Sequence, residues 1–192
     1  MRRGFSLLEV LVAACLGLIA LLVLTQLLIS VMRSSGRAVE MLELSQLAQS
    51  ISQRISEDLQ TAPASAIALQ SSEGTFAIQP LERTTATGKP IYSSEIRIYL
   101  LDLSQGKLQR KLCPVSGLPL EHPTQLTPAQ LSQQFQTSTQ PARYLANGLI
   151  KTFTLERLSA ERTEMIKLQF SLGLHSRTYS HQEVIALRNG DL

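Results

Sequence analysis

Polar and apolar positions change rhythm twice along the chain. Residues 10–24 carry no charged or strongly polar side chain, and beyond Thr25 and Gln26 the apolar run extends to Met32. About 20 such residues cross the hydrocarbon core of a bilayer as a helix, so this stretch predicts a membrane-spanning segment. Past it, Leu44, Leu47, Ala48, Ile51, Ile55, Leu59 and Ala62 recur at helical steps. Glu43, Gln46, Gln49, Gln53, Arg54, Glu57 and Asp58 fall on the opposite face. That is the spacing of an amphipathic helix with one face in a core, and Pro63 ends it. One helix over residues 5–61 would be about 85 Å long at 1.5 Å per residue, with Ser34, Ser35 and Gly36 as a weak point where it could bend or loosen.

After Pro63 the period becomes two. Residues 66–69 and 76–79 are short strand candidates. Residues 95–101 alternate, with Ile96, Ile98 and Leu100 on one face and Arg97 and Tyr99 on the other. Ser104, Gln105 and Gly106 make a hairpin turn into a strand at 107–112. Pro114, Pro119, Pro123 and Pro128 mark a surface loop over residues 114–141, rich in Gln, Ser, Thr and Pro. Within it Thr127 and Pro128 can start a short helix to Phe135. Residues 151–158, 163–172 and 179–187 read as a meander. In its middle strand Ile166, Leu168, Phe170 and Leu172 face inward, and Lys167, Gln169 and Ser171 outward. The expected class is α+β, a long N-terminal helix packed on an antiparallel β-sheet. Four segments follow: a leader at 1–4, a membrane helix at 5–32, its amphipathic continuation at 33–62 and a β-rich domain at 63–192.

Composition adds little until it is set against position. The chain has 192 residues, no Trp, 18 basic and 15 acidic side chains. Arg2 and Arg3 precede the apolar run, and the remainder is nearly neutral, so there is no footprint for general nucleic-acid binding. Cys15 lies in the apolar run and Cys113 far outside it, which gives neither a disulfide framework nor a metal set. A secretory signal would need a cleavage site after the run, and residues 25–32 offer no convincing one. For a plain anchor, Arg2 and Arg3 on one side balance Arg33 and Arg37 on the other. Neither reading explains Glu9. A carboxylate within a membrane segment is costly, and such residues are usually functional and paired.

Glu9 stands behind Gly4, Phe5, Ser6, Leu7 and Leu8, after the short basic leader Met1-Arg2-Arg3 and before a long apolar helix. That constellation resembles the prepilin signature of the type IV pilin and type II secretion pseudopilin superfamily. The resemblance implies cleavage between Gly4 and Phe5 by a prepilin peptidase, N-methylation of Phe5, and a role for Glu9 in subunit assembly. It also implies a pilin-like fold and an inner-membrane, single-pass precursor whose soluble domain is periplasmic before it enters a pilus or pseudopilus. Residues 54–62 and 183–189 resemble the PilW/GspJ-like branch of minor pilins and pseudopilins, and the C-terminal cysteine pair common in major pilins is missing. The implied function is a minor subunit that initiates or caps a type IV pilus for adhesion, twitching motility or DNA uptake. The alternative is a GspJ-like minor pseudopilin of a type II secretion system. Its partners would be the prepilin peptidase, other minor and major pilins or pseudopilins, and the inner membrane.

Other chemistry is sparse. His122, His175 and His181 lack further ligands, although Glu183 shares a strand face with His181. Cys113 has no assignable base, and no phosphate loop or nucleophile elbow occurs. Lys107, Arg110 and Lys111 could touch DNA phosphates but read better as a solvated strand face. No catalytic residue, cofactor or metal is expected, and the chain is not read as an enzyme. A membrane-anchored ligand-binding module is the remaining rival.

Overall fold

The computed structural model describes residues 7–70, 75–115, 121–124, 126–160, 163–175 and 177–187. Two compact units divide the chain, Met1–Glu43 and Leu44–Leu192. Helix α1, Leu7–Gln60, contributes to both. It passes through Ser34, Ser35 and Gly36 without interruption, so the expected loosening there is absent. Ser34 Oγ donates to the Val31 carbonyl at 2.9 Å, within the helix. In the apolar stretch, Thr25 Oγ1 donates to Leu22 O at 2.8 Å and Ser30 Oγ to Leu27 O at 2.8 Å. Hydroxyls that bond their own helix's carbonyls present no unmet donor to an apolar surround.

In the second unit α1 buries Leu44, Ala48, Ile51, Ile55 and Leu59, the face that the three- and four-residue steps predicted. A 3-10 turn at Ala64–Ala66 leads into the strands. These are β1 Ile67–Gln70, β2 Thr75–Ile78, β3 Leu81–Thr84, β4 Pro90–Tyr92, β5 Glu95–Asp102 and β6 Lys107–Pro114. Helix α2, Pro128–Thr137, then precedes β7 Arg143–Ala146, β8 Ile150–Ala160, β9 Thr163–Leu174 and β10 Arg177–Ala186. The main sheet has the order β1-β2-β5-β6-β7, a second has β10-β9-β8, and β3 pairs with β4. All pairings are antiparallel. The architecture is α+β, a long helix packed on antiparallel sheets, and is consistent with a pilin-like fold.

The main sheet is covered on both faces. Ile96 and Ile98 of β5 point to α2 and join Ala77, Cys113, Leu131 and Phe135 in one apolar cluster. Tyr99, their neighbour of opposite parity, points to α1. Helix α2 starts where Thr127 and Pro128 predicted, with Gln130 Oε1 accepting from Thr127 N at 2.8 Å. It runs past Phe135 to Thr137. Parallel-displaced rings join the sheets: Phe76 lies 4.4 Å from Tyr99 and 5.9 Å from Phe153, and Phe153 6.0 Å from Phe170. Each such contact adds about 0.5–1.5 kcal/mol beyond the area it buries.

Three expectations need correction. Asp58, assigned to the polar face of α1, is buried. Arg110 and Lys111 are buried too and point to opposite sides of the sheet, so Lys107, Arg110 and Lys111 form no solvated face. Ser171 is buried beside Thr152, their hydroxyls 2.6 Å apart. For Arg110 and Lys111 the reason is that period-two alternation marks two faces but not whether another layer covers each; for Asp58, helical spacing likewise marks a face without showing what packs against its edge.

The turn from β5 to β6 requires glycine. Gly106 has φ +62°, and an added Cβ would sit 3.0 Å from the Gly148 carbonyl carbon and 3.0 Å from Ile150 O. Its carbonyl also accepts from Leu149 N and Ile150 N, both at 3.1 Å. Gly106→Ala is expected to cost about 1–3 kcal/mol, and Gly88→Ala, with φ +81° but open space, about 1 kcal/mol. Thermal unfolding of both variants checks the difference; equal losses would show that the close backbone contact does not matter.

Candidate functional site

Of the residues singled out at the N-terminus, Gly4 and Phe5 lie outside the described residues, as does the basic leader. Glu9 is in the first turn of α1. A carboxylate there is favoured by the helix dipole, because the first backbone N–H groups carry partial positive charge. The hundred-degree step of a helix places Ala13, Leu16 and Ala20 on the Glu9 side. All four are exposed.

The apolar character of this segment is uniform around the axis. Leu11, Val12, Leu18, Leu22, Leu24 and Ile29 point in different directions, and each is about half exposed or more. An isolated helix in water would not carry such a surface. The stretch is long and apolar enough to cross a membrane, with mean hydropathy 2.9 over its best window. What it can do chemically follows from that surface: it offers a sleeve of aliphatic side chains, with one carboxylate near one end.

No family model, curated protein or solved structure matches this chain.

A second group of functional-looking side chains escaped the sequence reading. Asp58, near the end of α1, gathers three partners from the main sheet. Arg97 Nη1 donates to Asp58 Oδ1 at 2.9 Å and Arg110 Nε to Oδ2 at 2.6 Å. Tyr99 Oη donates to Oδ2 at 2.5 Å. Arg97 also donates to Thr61 Oγ1 at 3.0 Å. The Asp58 and Arg110 side chains are 4% and 6% exposed, so this is an ion pair largely out of water. Burial, then the Asp58 charge and hydrogen bond, push the Tyr99 hydroxyl far above its ordinary range, so Tyr99 is the neutral donor. For Arg110, burial favours loss of the proton, but the Asp58 hydrogen bond and charge outweigh it and raise the pKa. The cluster has no substrate-accessible nucleophile or base; its chemistry is that of a clamp between helix and sheet.

The signal that could have found it is alternation. Arg97, Tyr99 and Arg110 are cross-strand neighbours, with Tyr99 and Arg110 directly paired in register. Two arginines and a tyrosine on one sheet face call for an acid, and Asp58 is set in the helix that precedes the sheet.

The remaining candidates are dispersed. His122 and His175 are exposed, and His175 occupies the β9–β10 turn with φ 54°. His181 packs 5.3 Å from the Phe170 ring, its Nε2 3.8 Å from Glu183 Oε2. Glu183 accepts a hydrogen bond from Ser52 of α1. Among the described residues, no three His, Cys, Asp or Glu side chains converge on a common point. Cys113 Sγ is buried and donates to Gln134 O at 3.7 Å, and burial pushes its thiol pKa up, away from a reactive thiolate. Lys111 Nζ donates to Phe135 O at 2.6 Å and lies 5.3 Å from that ring's centroid, pinning α2 to β6.

Proposed function

We propose that this chain is a minor pilin that helps initiate or cap a type IV pilus. It enters the inner membrane as a single-pass precursor with its soluble domain periplasmic. Prepilin peptidase cleaves between Gly4 and Phe5, the new amine on Phe5 is methylated, and the helix passes from lipid into the filament core. The observation that carries this reading is Glu9: a carboxylate in the first turn of an exposed apolar helix, immediately behind Gly4-Phe5-Ser6-Leu7-Leu8. A buried carboxylate needs a partner, and the Phe5 amine of a neighbouring subunit provides one. In this reading the chain is a substrate of an enzyme and not an enzyme itself. Its partners are the peptidase and other minor and major pilins.

The second reading is a GspJ-like minor pseudopilin of a type II secretion system, since residues 54–62 and 183–189 resemble the branch that holds minor pilins and pseudopilins alike. It uses the same processing and the same helix. Deleting the gene and counting sheared surface filaments by electron microscopy separates the two. Loss of filaments, restored on complementation, supports the pilus; unchanged filaments with failed export of secreted proteins support the pseudopilus.

Processing has its own test. The mature chain is expected to begin at Phe5 and to carry one added methyl group on its amine. Mass spectrometry of the purified N-terminal peptide measures both. A mature protein that retains Met1 would overturn either reading.

A further inference from the structure

A cavity of about 240 Å³ opens in the second unit, on the face of the main sheet that α2 covers. It exists because Ala68 of β1 and Ala77 of β2 are direct cross-strand partners. Opposed side chains on a sheet face normally fill the space above their pair; two methyl groups leave it empty. Ile96 and Leu131 complete an apolar floor. Sites for drug-sized ligands run about 300–1,000 Å³, so this one suits a smaller molecule.

The mouth is different in character. Arg157 of β8 lines it. Its Nη2 donates to Ala64 O at 2.9 Å and to Ile67 O at 3.2 Å. Those two bonds fix the plane of the guanidinium, and both use the same nitrogen. The donors on Nη1 and Nε remain. Among the described residues no carboxylate pairs with Arg157. Both two-pronged edges of a guanidinium include Nη2, so a carboxylate here would take one charge-assisted hydrogen bond, from Nε or Nη1, beside the full positive charge. An immobilised arginine at the rim of a small alanine-lined hole therefore reads as half of a recognition site.

We propose that this cavity binds a small carboxylate with a branched aliphatic tail, the tail over Ala68 and Ala77 and the carboxylate on Arg157. Two sources share that chemistry: a free short-chain acid, and the terminal carboxylate of a peptide ending in an aliphatic residue. The inference stands on unit Leu44–Leu192 alone and does not depend on the pilus reading.

The test uses the full chain in phospholipid nanodiscs, labelled with carbon-13 on alanine and isoleucine methyls. It is titrated with 4-methylpentanoate, with N-acetyl-leucine and with 4-methylpentan-1-ol. The acids are expected to shift the Ala68, Ala77 and Ile96 methyls saturably, and the alcohol to bind at least ~10-fold more weakly, for want of the charge-assisted bond. Arg157→Gln should bring the acids down to the alcohol's level. Ala77→Val should weaken all three by filling the floor. Tighter binding of N-acetyl-leucine identifies a peptide terminus as the source, and tighter binding of 4-methylpentanoate a free acid. Equal binding of acid and alcohol by the unmodified chain would overturn the proposal, whatever the variants do. So would the absence of any shift at Ala68 and Ala77.

Discussion

Glu9→Ala is expected to leave cleavage at Gly4 intact and to empty the sheared-filament fraction of this chain. The peptidase acts on the peptide bond between Gly4 and Phe5, several residues before the substitution. Assembly is another matter. In the proposed filament the Phe5 ammonium of one subunit is buried against Glu9 of its neighbour. Removing one partner of a buried pair leaves an uncompensated charge, at about 3–5 kcal/mol. Each 1.4 kcal/mol is about a tenfold change in an equilibrium, so incorporation should fall at least ~100-fold. The measurement is an immunoblot of membrane and sheared fractions in a deletion background expressing each variant. Glu9→Asp keeps the charge on a shorter arm and should retain part of the incorporation; Leu8→Ala, which changes only apolar area, should retain most. If Glu9→Ala reaches filaments as the unmodified chain does, the carboxylate has no assembly role, and the strongest support for the pilin reading is gone.

The second large effect lies in the folded domain. Asp58→Ala is expected to destabilise it by about 3–5 kcal/mol, because Arg110 and Tyr99 stay buried without their acceptor. At roughly 2–4 °C per kcal/mol for a unit of this size, the unfolding midpoint should drop by about 10 °C. Asp58→Asn keeps an acceptor oxygen for one arginine and should lose less. Glu57→Ala, one residue away, removes an exposed partner of Arg54 at 3.3 Å and should change stability by no more than about 0.5 kcal/mol. Circular dichroism of the three variants in nanodiscs, as temperature is raised, decides the matter. Similar midpoints for Asp58→Ala and Glu57→Ala would show that the clamp contributes nothing.

These two carboxylates differ in how they can be recognised. Glu9 is conspicuous because everything around it in sequence is apolar, and a charge in such a run demands a reason before any coordinates exist. Asp58 is inconspicuous because it sits among Arg54, Glu57 and Gln60, where one more polar residue fits a solvated helix face. Its partners are 39, 41 and 52 positions away, and no local pattern links them.

The sequence alone determined the elements whose signals are local. The apolar run, the helical steps from Leu44 to Leu59, the stop at Pro63 and the cap at Thr127 with Pro128 each depend on neighbours within one or two turns. The same holds for β5 and β9, where side chains alternate over seven or more residues and one face is apolar, and for β6, which follows the turn at Ser104, Gln105 and Gly106. Strands β3, β4 and β7 were not read; three or four residues are too few to show a period, and β1 and β2, just as short, emerged only as short candidates. Only the tertiary structure decided the layering. Helix α2 covers Ile96 and Ile98, so the face bearing Arg97, Tyr99 and Arg110 turns to α1 and must be neutralised there by Asp58. Likewise only the pairing of β1 with β2 sets Ala68 opposite Ala77, and only the approach of β8 brings Arg157 to the mouth of the space they leave. Periodicity tells a residue which way to point; what it meets there is fixed by which element packs across from it.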